Sequence, residues 1–192
     1  MNESEILAEL EHRGAVLRGH FHLSSGRHSD VFIQKFRVFE DPGLTRSLGE
    51  AIAERFRGTY DAVACPAVGA IVLGFATALA SGTKMIFAER TSNGLEFRRG
   101  FALEPHERTL IVEDVITTGG SAREVLDLVR SSGADAVGIG ALIDRCDPTR
   151  ESFGVPFEAL VELEVESWDA DECPLCADGA PLQEPGSRRL RK

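Results

Sequence analysis

Thirteen consecutive residues, Leu110 to Ala122, restrict the architecture of this chain more than any other segment. Leu110, Ile111 and Val112 form a short apolar run of the kind buried inside a parallel sheet. Glu113 and Asp114 follow at the carboxyl end of that strand, the edge at which open α/β sheets bind ligands. Thr117, Thr118, Gly119, Gly120 and Ser121 then offer hydroxyls and backbone N–H groups at the start of a helix, a setting that favours phosphate. Glycines there let the backbone approach such a group closely. The segment contains neither GxGxxG nor GxxxxGK[ST], so the common dinucleotide and P-loop readings fail. Paired carboxylates beside an anion cradle suit a ligand with both a phosphate and a diol, as in a ribose 5-phosphate.

The rest of the chain supplies a matching framework. Asn2 to about Arg13 reads as a helix, with Asn2 and Glu5 as a capping box and Ile6, Leu7 and Leu10 on one face. Residues 14–36 alternate apolar and polar positions around Ser24-Ser25-Gly26, which predicts short antiparallel strands and a turn. Pro42 to Phe56 reads as a helix with proline in its first turn. A βα series follows: strand Asp61–Cys65, helix Val68–Ala80, strands Lys84–Ala88 and Thr109–Glu113, helix Ala122–Arg130, and strands Ala136–Ile143 and Phe157–Leu163. That alternation predicts an α/β fold with a mostly parallel sheet covered by helices. Thr91 to Gly100 is polar around Asn93-Gly94 and suits a hairpin or mobile loop. Residues 164–184 are acidic and carry Cys173-Pro174-Leu175-Cys176; residues 185–192 are basic, with mobility expected at the very end.

Composition limits what such a fold can do. At 192 residues and 43% apolar content, one domain with a substantial core is expected. A net charge of −10 argues against general nucleic-acid binding, so an anionic ligand must be met by locally clustered arginines. The one basic cluster is Arg188–Lys192. No apolar run reaches the length of a membrane span, about 18 residues or more. The acidic start Met1-Asn2-Glu3-Ser4-Glu5 does not read as a signal peptide. Four cysteines without a secretory signal fit a reducing cytoplasm.

The Leu110–Ala122 stretch resembles the phosphoribosyl pyrophosphate (PRPP) signature of the type I phosphoribosyltransferases. Two further segments resemble the orotate phosphoribosyltransferases. Phe21 to Phe32 is similar to their N-terminal hood, with Ser25-Gly26-Arg27-His28-Ser29 at the turn and Phe32 at the aromatic position beside the base. Ala141-Leu142-Ile143-Asp144-Arg145 resembles the strand end whose arginine binds the orotate carboxylate, a task suited to a guanidinium fork. Cys-Pro-Leu-Cys with the Gly-x-Pro-Leu and Pro-Gly-Ser-Arg that follow resembles the C-terminus of a Thermus-like bacterial subgroup.

This resemblance implies a mostly parallel central sheet flanked by helices, with a small hood. The hood would take about residues 1–40 plus C-terminal segments, the core about 41–163, and the Cys-containing tail 164–192, all within one domain. It implies transfer of phosphoribosyl from PRPP to orotate, giving orotidine 5′-monophosphate and pyrophosphate, by a cytoplasmic homodimer whose mobile loop reaches the partner's site. PRPP would lie on Glu113, Asp114, Val115, Ile116, Thr117, Thr118, Gly119, Gly120, Ser121 and Ala122, with Ala67, Val68 and Gly69 approaching the pyrophosphate through backbone N–H groups. Orotate would meet Ser25, Gly26, Arg27, Phe32, Thr117 and Arg145. Mg²⁺ would be held through PRPP and waters, with Glu113 and Asp114 nearby. A purine or other-base phosphoribosyltransferase and a PRPP-sensing regulator are the competing readings.

The departures from the family pattern bear on charge. The lysine expected before Ser-Gly-Arg is Ser24, and the loop Cys65-Pro66-Ala67-Val68-Gly69-Ala70 has no lysine. Arg90, Arg98 and Arg99 are therefore the candidates for neutralising pyrophosphate, with Arg90 joining Glu113 and Asp114 as catalytic groups. If Arg98 and Arg99 lie on a strand, only one can face the site. His28 reads either as catalytic or as a hood residue bonded near Ser29. Cys173 and Cys176 could be half of a zinc site completed across a dimer. A reduced pair capping a turn is the favoured reading, because His12, His20, His22, His28 and His106 are remote in sequence and neither Cys65 nor Cys146 has a partner at metal spacing.

Overall fold

The computed structural model describes residues 1–23, 26–147 and 150–185. Helix α1 (Glu3–His12) starts as its sequence predicts: the Asn2 side chain accepts the Glu5 N–H, and Glu5 accepts the Asn2 N–H, both at 2.9 Å. Strands β1 (Val16–His22) and β2 (His28–Ile33) pair antiparallel, with an irregularity between Arg18 and Phe21. A two-residue strand near the C-terminus, Ser167–Trp168, adds to β2 and completes a three-stranded sheet. This small sheet is separate from the core. A short helix α2 (Phe36–Phe39) leads to α3 (Pro42–Arg55), which Asp41 caps by accepting the N–H groups of Gly43 and Leu44.

The core sheet follows: β3 (Ala62–Pro66), helix α4 (Ile71–Ser81), β4 (Lys84–Thr91), β5 (Gly94–Phe97), β6 (Arg108–Ile116), helix α5 (Gly120–Ser131), β7 (Asp135–Asp144) and β8 (Phe157–Glu162). Its spatial order is β5-β4-β3-β6-β7-β8, parallel throughout except for the β4–β5 hairpin. Alternation along each strand sends side chains to two cores. Leu110, Val112 and Leu142 pack with Leu48, Ile52 and Leu73 of α3 and α4. Ile111, Ile139 and Ala141 pack with Val125, Leu126 and Val129 of α5. The chain ends with β9, the Ser167–Trp168 strand, and α6 (Pro174–Ala177), a single turn lying against the hood. No helix is long and apolar enough to cross a membrane among the described residues.

Several boundaries differ from the sequence expectation. Strand β6 runs on to Ile116 rather than stopping at Glu113, because Val115 and Ile116 stay in register with Ile143 and Asp144 of β7. Helix α4 starts at Ile71, leaving 67–70 as an open loop. The 91–100 segment is a hairpin, with Thr91 opposite Gly94. Arg98 and Arg99 fall just beyond β5, so strand alternation does not decide which of them faces the ligand. Ser25 and the basic cluster Arg188–Lys192 lie outside the described residues.

Candidate active site

A cleft of about 1340 Å³ opens between the hood and the carboxyl ends of β6 and β7. Arg27, Phe32, Lys35, Val115, Thr117, Thr118 and Arg145 are among its walls. It thus joins the hood residues, the loop after β6 and the arginine after β7, three groups far apart in the chain.

The acid pair sits inside the last turns of β6. Glu113 is 4% exposed and Asp114 1%. Glu113 accepts the Asp114 N–H at 3.0 Å and the Ser121 hydroxyl at 2.6 Å, so the first turn of α5 is bonded back to the strand. Asp114 Oδ1 accepts the Val115 N–H at 2.7 Å. Its other oxygen lies 2.6 Å from Lys35 Nζ. That contact is an attraction of charges; Oδ2 has no directed hydrogen bond among the described residues. Burial, and then the charge of Asp114, push the Glu113 carboxyl up to about 8. The same surroundings raise the Cys65 thiol far above its ordinary value, through burial first and then Glu113 and Asp114.

A helix start suited to an anion follows at once. Gly119 takes a left-handed conformation (φ +79°) as N-cap of α5, and it has no side chain to cap the helix. The first-turn N–H groups of Gly120, Ser121 and Ala122 therefore have no side-chain acceptor at the cap. A Cβ at Gly119 would come within 2.7 Å of Phe153, so the loop is built against that ring.

The loop after β3 closes the other side of the acid pair. The Ala67 N–H bonds Ala88 O at 2.7 Å, and the peptide between Ala67 and Val68 is cis. Gly69 packs so tightly that a Cβ there would overlap Asp114 Oδ2 and lie 2.6 Å from Lys35 Nζ. Loop, acid and lysine thus meet at one point. Lys35 is the cation at this point; the sequence offers it, with Lys84, only as a substitute source of charge should the hairpin arginines not supply it. It follows β2 in the hood, and only the fold carries it to β6. The signal is indirect: a loop without lysine beside two buried carboxylates needs a cation from elsewhere.

At the β7 end, Asp144 organises the turn. It accepts the Cys146 N–H at 3.0 Å and an Arg150 N–H at 2.7 Å, while the Arg145 N–H bonds Ile116 O at 2.9 Å. Arg145 is half-buried and lines the cleft, and its guanidinium makes no ion pair among the described residues. Burial makes its charge less favourable, an effect that an incoming anion would offset. Arg27 is tied to the β9 segment through Ser167 at 3.0 Å and Asp169 at 2.9 Å, and forms part of the opposite wall. Phe32 stacks at a tilt on Phe21, with ring centres 5.7 Å apart.

The hairpin arginines are not gathered into this cleft. Arg90 forms a two-pronged pair with Glu124 of α5, at 2.5 and 3.0 Å. Arg99 pairs with Glu89 at 2.8 and 3.1 Å, and Arg98 adds its charge beside Glu89. His28 and its neighbours belong to a different cluster. His28 lies 3.0 Å from His20, and both rings face Cys176.

A parallel sheet whose central strand ends in buried acids, followed by a phosphate-ready helix start, places the chain among the phosphoribosyltransferases. The family described as "Phosphoribosyl transferase domain" matches residues 38–169. The orotate phosphoribosyltransferase of Caldanaerobacter subterraneus is 44% identical over 191 residues, covering 99% of this chain and 100% of that protein. The orotate phosphoribosyltransferase of Thermotoga maritima is 42% identical over 184 residues, covering 95% and 97%. The solved orotate phosphoribosyltransferase of Aeropyrum pernix superposes with a TM-score of 0.71 at 27% identity, over 83% of this chain and 94% of that one. This chain belongs to the orotate phosphoribosyltransferase family.

Proposed function

We propose that the protein transfers 5-phosphoribosyl from PRPP to orotate, forming orotidine 5′-monophosphate and releasing pyrophosphate. The C1–O bond to pyrophosphate breaks, a C1–N1 bond forms, and the proton on orotate N1 passes to the departing pyrophosphate or to water. The observation that carries this reading is that one cleft is walled by Lys35, Thr117 and Thr118, beside the buried carboxylates and the uncapped start of α5, and also by Phe32 and the half-buried Arg145. The first group suits a phosphorylated sugar, the second a flat carboxylate.

Orotate lies between Phe32 and Arg145, with Arg27, Gly26 and Thr117 around it. PRPP places its 5-phosphate on Thr117–Ala122 and its hydroxyls toward Glu113 and Asp114. Asp114 Oδ2, buried without a directed hydrogen bond, is the oxygen open to a hydroxyl or a metal-bound water. The other acid oxygens are already bonded, so these residues fit Mg²⁺ held through ligand and waters rather than in an all-protein cage. When bound, Mg²⁺ would supply charge neutralisation on the pyrophosphate and the ribose hydroxyls.

The task left to the protein is positioning and charge stabilisation of an electron-poor sugar. Lys35 and the N–H groups of Val68 and Gly69 serve the pyrophosphate side; the Ala67 N–H, expected to join them, is taken by Ala88 O. Arg90, Arg98 and Arg99 join from the hairpin when it closes over the ligand. The protein acts as a cytoplasmic homodimer. Val68, Val72, Phe75 and Leu79 support this, being exposed apolar residues at helical spacing along α4 and its entry, a face suited to a second copy.

The test is direct. Purified protein mixed with PRPP, Mg²⁺ and orotate should consume the orotate absorbance, and adenine or hypoxanthine in its place should not react. Consumption of a purine with orotate untouched would overturn the proposal.

A further inference from the structure

Four side chains with no part in the transfer reaction converge behind the hood. His20 comes from β1, His28 from β2, and Cys173 and Cys176 from the tail. One ligand atom from each lies within 4.8 Å of every other. We propose that these four residues form a closed structural site for Zn²⁺, fastening the tail to the hood within one chain.

The distances match the edges of a small tetrahedron. His20 Nε2 is 3.0 Å from His28 Nδ1, and three of the four sulfur–nitrogen separations are 3.2, 3.5 and 3.7 Å. Ordinary Zn–N and Zn–S bonds in a regular tetrahedron would give edges of about 3.3 Å between nitrogens and about 3.6 Å between nitrogen and sulfur. Ring orientation agrees. His20 Nδ1 lies 2.9 Å from Ala180 O. A carbonyl only accepts, so Nδ1 carries the proton and Nε2 turns its lone pair toward the cluster. That second contact is how ligating histidines are commonly held.

The cysteines are pre-arranged as well. The N–H groups of Cys176 and Ala177 both reach Cys173 O, at 3.2 and 3.3 Å, which folds the Cys-x-x-Cys segment into one turn. A pair capping this turn would not require two histidines from strands more than 140 residues away, with both rings facing Cys176. Charge also favours the ion: two thiolates and two neutral imidazoles cancel a divalent cation, so a largely buried site is left neutral. Two nitrogens and two sulfurs select zinc over magnesium or calcium, and four protein ligands leave no open position for catalysis. Cys176 is exposed, which gives the ion a way in.

An ion at this point would hold together parts that are otherwise thinly joined. Around it the tail is tied to β1 by two backbone bonds, from His22 N–H to Gln183 O and from Gln183 N–H to His20 O, both 2.8 Å. Between the two histidines runs the turn that carries Arg27 to the cleft wall. A cation here would fix that turn and the tail together.

The test uses the full chain, purified with thiols reduced and without chelator or metal affinity resin. Elemental analysis should find about one zinc per chain, and Co²⁺ in its place should show the strong visible bands of a tetrahedral thiolate site. Cys176→Ser and His28→Asn should lose the metal and lower Tm, while Cys146→Ser should keep it. Should those variants fail to fold, wild-type protein stripped by a strong chelator and titrated with Co²⁺ should regain the same bands. Stripped protein that binds no Co²⁺ with its thiols reduced would overturn the proposal. So would a Cys173–Cys176 disulfide in freshly purified protein.

Discussion

Two charged regions flank the acid strand, and burial separates them. At the centre, Lys35 faces Asp114, whose side chain is 1% exposed. On the hairpin, Arg90 faces Glu124 and Arg99 faces Glu89 in pairs whose arginines are 56% and 65% exposed. Water can replace either hairpin partner, so those pairs cost little to open. Nothing replaces Lys35 beside a buried carboxylate except another cation. The centre is therefore held by a buried pair, whereas the hairpin pairs open at little cost, as the role proposed for their arginines at pyrophosphate requires.

The comparison can be broken in order of expected effect. Asp114→Asn should lower kcat by about 10²- to 10³-fold while Tm changes little, the scale of lost electrostatic stabilisation. A sharp fall in Tm with normal activity per folded molecule would make Asp114 structural. Lys35→Ala should lower kcat/KM for PRPP by about 10²-fold, and Arg90→Ala or Arg98→Ala by only about tenfold, since water screens the exposed pairs. Steady-state kinetics showing the hairpin changes larger than the Lys35 change would reverse the ranking. Glu113→Gln keeps the side chain's size and removes its buried, titrating carboxyl. Its folded carboxyl is raised to about 8 from an ordinary 4.5, so the native state holds a proton that the unfolded chain gives up. Stability from this group is complete below about pH 4.5 and is lost as pH rises through about 8. The Gln variant should flatten that decline, as chemical denaturation between those limits would show. Arg99→Ala should be the quietest, shifting stability by less than about 0.5 kcal/mol in denaturant titrations.

What can be read from the chain follows the same divide between local and assembled structure. The strand, acids, loop and helix of 110–122 are contiguous, and period and composition alone indicate them. The end of β6 is not legible locally, because its last residues are held by register with β7, which no local pattern shows. Arg145 is singled out by its resemblance to the family's strand end, and it lies just after β7 on the cleft wall. Lys35 is not singled out, since residues following a hood strand carry no sign of which core strand they will meet. The Cys-x-x-Cys segment reads as half a site at most. His20 and His28 join it because the antiparallel pairing of β1 and β2 and the return of the tail bring them there.

The proposed division of labour, with the sugar phosphate beside Lys35 and the orotate carboxylate at Arg145, is tested most directly by calorimetry of PRPP and orotate, each binding alone to Arg145→Ala and Lys35→Ala. Loss of a two-pronged carboxylate contact should weaken orotate binding to Arg145→Ala by about 2–4 kcal/mol and leave PRPP within about threefold of wild type. Lys35→Ala should show the reverse preference. Equal losses for both ligands in either variant, or no loss of orotate binding in Arg145→Ala, would contradict the account.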